Sequence, residues 1–173
     1  RTPQVKAEVE SARIVANMNS IDPLILGVTE VAGSVWAVGG QRGPHPGRMF
    51  KIDGLAITEI EIGEGGTLWW VWSDAGGRVY SVGEGGRFLE LSEGAWVGET
   101  PLGLSDSILW GGWSSPEGSV WLVGGSPDIH GPKGIILKRD RSGAWQRVET
   151  SHLDIRTNLY KAFGYSERDI HMV

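Results

Sequence analysis

The sequence predicts an all-β fold, a β-propeller of four-stranded antiparallel blades. The first observation is an internal repeat: a short apolar run closed by glycine, found at 34–40, 78–84 and 119–125, with a shorter copy at 169–173. Equivalent residues are Val35, Val79, Val120 and Ile170, which are spaced by 44 (35 to 79), 41 (79 to 120) and 50 (120 to 170) residues. Repeats of about 40–50 residues are typical of propeller blades.

The second observation is that other positions agree between the copies. Eleven residues before each origin stands a leucine, and three residues after it stands a valine. Aromatic residues recur ten and seven residues before the origin. The ten-before column holds Ile25, Trp69, Trp110 and Tyr160, and the seven-before column holds Val28, Trp72, Trp113 and Phe163. Agreement at so many positions indicates that the copies share one local structure.

The third observation is that each repeat has room for four strands. The third repeat shows apolar or alternating runs at 109–113, 119–123, 135–138 and 145–149, separated by turn sequences such as 115–118 and 140–143. A β-solenoid is the alternative, but its coils would be shorter, more uniform and free of a hairpin turn in every repeat. Four short antiparallel strands repeated radially favour the propeller.

The organisation that follows is one partial propeller over 1–173. Its repeats run approximately over 24–66, 67–107, 108–157 and 158–173, and residues 1–23 supply strands of a preceding or shared blade. Two arrangements stay open. The chain is either a fragment of a larger propeller, which we favour, or a four-bladed unit able to associate head to tail.

Composition excludes several classes of function. The net charge of −5, without a basic stripe, speaks against a nucleic-acid partner. The absence of cysteine excludes disulfides and thiolate metal sites. No apolar stretch approaches the roughly 18 residues of a membrane span.

The repeat pattern Val-Trp-x-Val-Gly, followed later by Gly-Ala-Trp, resembles the bacterial sialidase-like propellers of the Asp-box class. It is also similar to the photosystem II assembly-factor propellers. Asp140, Gly143 and Trp145 match the Asp-box, whereas 93–96 lacks the aspartate and 53–54 lacks the tryptophan. The resemblance implies that the box carboxylate binds turn amides while the aromatic ring packs between blades. It also implies an extracytoplasmic, periplasmic or secreted, location.

The loops between second and third strands lie on the same face as the loops between blades, and this face usually binds the ligand. The first and third of these loops, at 41–47 and 126–133, are long, which often marks a binding site. The candidate ligand-binding residues are Arg42, His45, Arg48, Trp70, Asp128, His130 and Lys133. Trp70 stands in a column with Leu26, Gly111 and Lys161, so it either lines the central channel or fills space beside Gly111.

Catalysis and metal binding have weaker signals. His45 and His130 lie in non-adjacent repeats, a weak basis for a metal site with Asp128, so no metal and no cofactor are predicted. A sialidase-type reaction needs a tyrosine nucleophile, but Tyr80 and Tyr160 occupy framework columns expected to be core, and Tyr165 is expected on the opposite face.

The expected function is therefore a non-catalytic scaffold that binds a protein or carbohydrate ligand through its loop face, with no nucleic-acid partner and no membrane span. The alternative is a sialidase-like glycoside hydrolase whose catalytic blades lie largely outside this chain. A third, weaker hypothesis is an assembly chaperone like the photosystem factor.

Overall fold

The computed structural model describes residues 24–40, 47–128, 130, 131, 133–153 and 155–173. Strands expected within 1–23 lie outside this part of the chain. The described residues form three four-stranded antiparallel sheets and one hairpin, each in chain order. The single helical piece among them is a 3-10 turn at Pro101–Gly103, and no helix in this part is long and apolar enough to cross a membrane.

We call the sheets blades 1 to 3 and the hairpin the inner part of blade 4. Blade 1 comprises β1 (Leu24–Val31), β2 (Ser34–Gly40), β3 (Arg48–Asp53) and β4 (Ala56–Ile60). Blade 2 comprises β5 (Leu68–Ser73), β6 (Val79–Gly83), β7 (Phe88–Ser92) and β8 (Ala95–Glu99). Blade 3 comprises β9 (Ile108–Ser114), β10 (Val120–Gly125), β11 (Ile135–Arg139) and β12 (Trp145–Arg147). The hairpin comprises β13 (Ala162–Ser166) and β14 (Asp169–Met172).

The blades stack face to face with their first strands adjacent: β1 contacts β5, β5 contacts β9, and β9 contacts β13. These first strands are the inner strands of the blades. The stacking confirms the predicted all-β architecture of four-stranded antiparallel blades. Because neighbouring strands are antiparallel, the turns between first and second strands and between third and fourth strands lie at one end of the stack. We call it the hairpin-turn end. The loops between second and third strands and between blades lie at the other, which we call the loop end.

The core consists of the apolar layers between consecutive blades. The layer between blades 1 and 2 contains Trp36, Val38, Met49, Leu68, Val71, Val79 and Leu89. The layer between blades 2 and 3 contains Trp72, Tyr80, Val82, Phe88, Leu109, Val120, Leu122, Ile135 and Leu137. The layer between blades 3 and 4 contains Val123, Ile136, Leu159 and Ala162. Alternate residues of each strand thus face opposite neighbours, which explains the apolar runs of the repeat.

The register of blade 1 shifts β1 by one residue against the sequence alignment. Trp72 pairs with Tyr80 in blade 2, but the residue that pairs with Trp36 in blade 1 is Thr29, not Val28. The physical reason is a tighter turn. Val31 pairs with Ser34 across a two-residue turn, whereas the corresponding turn of blade 2 spans three residues, since the Asp74 N–H bonds to the Arg78 carbonyl.

Candidate functional site

A row of aromatic rings crosses three blades at the loop end of the inner strands. The rings of Trp69 and Trp110 lie 4.5 Å apart, centroid to centroid. The rings of Trp110 and Tyr160 lie 5.4 Å apart. All three residues come from the same position of consecutive blades. We call this set, Trp69, Trp110 and Tyr160, the aromatic row.

Bulges in the inner strands create the row. In β5, Leu68 and Trp70 pair with consecutive residues of β6, so Trp69 is the extra residue. In β9, Trp110 is extra for the same reason. In blade 4 the N–H groups of Tyr160 and Lys161 both reach the carbonyl of Val173. A bulge redirects a side chain away from the regular alternation, so the repeat carries an aromatic ring at the irregular point of each of these blades.

The same irregularity places Leu26, rather than Ile25, in the row's column in blade 1, because Leu26 is the residue skipped between the pairs of Ile25 and Gly27. The aromatic row therefore has an apolar but non-aromatic counterpart in blade 1. Tyr160 is 50% exposed, so the expectation that it belongs to the core is wrong. Trp69 and Trp110 are half-buried.

Trp70, predicted from the sequence, lies next to the row and contacts Lys161. The Lys161 ammonium sits 3.6 Å from the centroid of the Trp70 ring and donates a hydrogen bond to the Trp110 carbonyl at 3.3 Å. This is a cation–π contact across Gly111, whose missing side chain leaves the inner strands close together. Partial burial lowers the pKa of Lys161 below its usual value.

The polar groups of this region are mainly donors. Lys161 has no ion pair with any carboxylate in the described part of the chain. The indole N–H groups of Trp69 and Trp110 are buried without a hydrogen-bond acceptor there. Buried donors normally find a partner, so unpaired ones call for an explanation. The region therefore contains a cation without an ion pair and two indole donors without an acceptor among the described residues.

Arg48, another predicted residue, is occupied by a bidentate ion pair. Its guanidinium donates to both carboxylate oxygens of Glu59 on the adjacent strand, each at 2.6 Å, and lies 5.0 Å from the Phe50 ring. The hydrogen bonds from Arg48 hold the pKa of Glu59 below its usual value. Arg42 and His45 lie outside the described residues.

Asp128, His130 and Lys133 come together in one loop at the loop end. The Lys133 ammonium donates to the carbonyls of Asp128 at 2.6 Å and Ser126 at 3.2 Å. The Asp128 carboxylate accepts the His130 N–H at 2.9 Å. These bonds shape the loop. The Lys133 ammonium and the Asp128 carboxylate are thus bonded within the loop itself. No described interaction joins any of the three residues to Trp70.

Within the described residues, no group of three His, Asp or Glu side chains could hold a metal ion. Tyr80 is fully buried and donates to the Asp74 carboxylate at 3.1 Å. Burial, together with the negative charge of Asp74, raises the Tyr80 pKa above its usual value. Its framework position is therefore that of a core residue, as predicted.

Two open grooves of the described residues lie at the hairpin-turn end. One of about 740 Å³ runs between blades 3 and 4, and one of about 630 Å³ runs between blades 2 and 3. Some of the charged groups there are paired: Glu167 binds Lys138 at 2.7 Å, and Arg139 binds Glu90 at 2.7 Å. At the loop end a hollow of about 390 Å³ is lined by glycines, glutamates and Arg87, which donates to the Ile62 carbonyl.

The turn that matches the Asp-box is held by its carboxylate. Asp140 accepts hydrogen bonds from the N–H groups of Ser142 at 2.8 Å and Ala144 at 3.1 Å. The hydrogen bond from the Ser142 hydroxyl contributes most to lowering the Asp140 pKa, and the bonds from the backbone N–H groups add to it. Trp145 then donates to Glu99 of blade 2 at 2.8 Å and packs edge-on against Phe88.

Comparison with known proteins places the fold among β-propeller-type proteins. The chain is similar to a catalytically inactive virginiamycin B lyase from Staphylococcus aureus crystallised with quinupristin, with TM-score 0.68 and 16% identity over 91% of this chain and 57% of that one. It is also similar to YCF48 bound to D1 peptide, with TM-score 0.60 and 18% identity over 83% of this chain and 45% of that one. The chain thus spans about half the length of these structures. No protein-family model and no curated protein matches the sequence.

Proposed function

We propose that this chain is part of a non-catalytic propeller scaffold that binds a segment of another protein at the aromatic row. One observation carries the proposal: three rings from consecutive blades form a row of tilted contacts at the loop end, and the last of them, Tyr160, is half exposed. Tyr and Trp are the residues that contribute most to protein interfaces, because each offers a large rigid area at low entropic cost.

Two further features support a protein ligand. The same end of β1 carries two further exposed apolar residues, Leu24 and Ile25, which add apolar surface at the loop end. The structure of YCF48, a propeller of similar fold, contains a bound peptide. A carbohydrate ligand would use the same rings by stacking, so it is the other outcome that the experiment must separate.

We also infer that the turn at Asp140 is an Asp-box of the sialidase-like class. The turn amides bound by Asp140 and the packing of Trp145 between blades are the support for this assignment. In this interpretation the motif stabilises the fold and takes no part in ligand binding.

The test is to pan a random peptide library and to screen a glycan array with three proteins: wild type, Tyr160→Ala and Tyr165→Ala. Tyr165 is the matched control, because it belongs to the same blade, is 79% exposed and lies outside the row. We expect peptides with aromatic or aliphatic side chains to be enriched by wild type and by Tyr165→Ala, but not by Tyr160→Ala. Enrichment that is equal with Tyr160→Ala, or binding restricted to glycans, would overturn the proposal.

A further inference from the structure

Among the described residues, Lys161 is the cationic side chain that contacts both Trp70 and Trp110. It lies over the Trp70 ring and donates a hydrogen bond to the Trp110 carbonyl. An ammonium has three N–H donors. The described interactions of Lys161 use one of them, on the Trp110 carbonyl, and set the charge against the face of Trp70. At least one donor therefore stays free for a ligand.

The surroundings of this ammonium are unusual for a structural lysine. A partly buried cation is normally paired with a carboxylate, since burial of an unpaired charge is costly. The indole N–H groups of Trp69 and Trp110 in the aromatic row are also donors without a partner among the described residues. No carboxylate of the described residues forms an ion pair with Lys161.

We propose that Lys161 is the anchor for a carboxylate of the ligand whose apolar part lies on the aromatic row. A single ammonium in an aromatic setting matches one singly charged carboxylate better than a phosphate, which carries more charge and more acceptors than this region has free donors to meet. The inference rests on the proposed function. It adds that the bound segment presents an acidic side chain or a chain terminus next to an apolar group.

Two small probes test this: 3-phenylpropionate and its uncharged amide, titrated separately and followed by tryptophan fluorescence. We expect wild type to bind the carboxylate at least about tenfold more tightly than the amide, equivalent to about 1.4 kcal/mol. Lys161→Met should bind both equally weakly, and Lys161→Arg should recover the preference. Lys51→Met is the control, because Lys51 pairs with Asp53 in blade 1 and should leave the preference intact.

The inference is overturned if wild type binds the amide as well as the carboxylate, if Lys161→Met keeps the preference, or if the carboxylate shows no saturable binding. These results do not touch the proposed function, which is decided by whether peptide enrichment depends on Tyr160. If peptide enrichment does not depend on Tyr160 but the carboxylate preference is intact, the proposed function is wrong and Lys161 forms an isolated anion site.

Discussion

Replacing Gly111 by alanine should destabilise the protein, because the backbone of blade 4 lies against Gly111. A Cβ on Gly111 would stand 2.5 Å from the Tyr160 carbonyl oxygen and 3.0 Å from the Lys161 Cα, where ordinary contact begins at 3.4 Å. The inner strand of blade 4 would have to retreat by about 0.9 Å, since backbone cannot rotate out of the way as a side-chain end can. We expect Gly111→Ala to lower the free energy of unfolding by about 1–3 kcal/mol.

Urea denaturation followed by tryptophan fluorescence measures this effect. Gly98→Ala is the matched control. Gly98 is also a strand glycine, but its nearest neighbour is the flexible end of Leu89 at 3.0 Å, so this variant should be neutral or slightly stabilising. Because the retreat also moves Lys161 away from Trp70, Gly111→Ala should weaken carboxylate binding as well. Equal midpoints for the two variants would refute the close approach of Tyr160 and Lys161 to Gly111.

Four further variants test other parts of the account. Ala32 has φ +50° in the two-residue turn of blade 1, so Ala32→Asn should stabilise the protein by roughly 1 kcal/mol in urea, since asparagine tolerates this conformation. Leu122→Ala should cost about 2–5 kcal/mol in the same assay, since Leu122 is fully buried between blades 2 and 3. Burial raises the Asp74 pKa, but hydrogen bonds from Arg78 outweigh this and leave it below 3.8. Wild type should therefore lose stability as the pH falls below that value, with a shallower loss in Asp74→Asn. The lowered pKa of Lys161 means that folding disfavours its charged form. Lys161→Met should therefore be no less stable than wild type at pH 7. Any deficit in the free energy of unfolding of wild type relative to this variant should shrink as the pH rises toward 10.5.

Each of these predictions has a result that contradicts it. A destabilised Ala32→Asn would mean that the turn conformation is not the one described. A loss well under 1 kcal/mol in Leu122→Ala would mean that the layer between blades 2 and 3 is loosely packed. Identical acid profiles for wild type and Asp74→Asn would remove the Arg78 bonds as the cause. A marked loss of stability in Lys161→Met would make Lys161 a structural residue.

The repeat was sufficient to predict the blades, because burial between sheets imposes the same apolar pattern on every copy. The valine three residues after each origin is buried in blades 1 to 3, at Val38, Val82 and Val123. The one misaligned segment, β1, followed from a turn shorter by one residue. A change in turn length shifts every residue of one strand against its partner while leaving the sequence columns apparently intact.

The candidate site was harder to predict, because its aromatic residues recur at the same position of the repeat, as core residues do. Trp69, Trp110 and Tyr160 looked like framework residues, since a recurring aromatic column usually means core. The bulges that take them out of the regular alternation are not visible in the composition of the strands. Trp70 was singled out as the residue without an aromatic counterpart. Its contact with Lys161, 91 positions further along (70 to 161), depends on the stacking of three blades.

The most direct test of the central claim is to follow the indole N–H resonances of the nine tryptophans while a peptide enriched on the wild-type protein is added. We expect the resonances of Trp69, Trp70 and Trp110 to shift with a common saturation curve. Those of Trp72 and Trp145, which are hydrogen-bonded to Ser114 and Glu99 away from the row, should stay in place. Shifts confined to Trp145, or to the tryptophans of the hairpin-turn end, would contradict it.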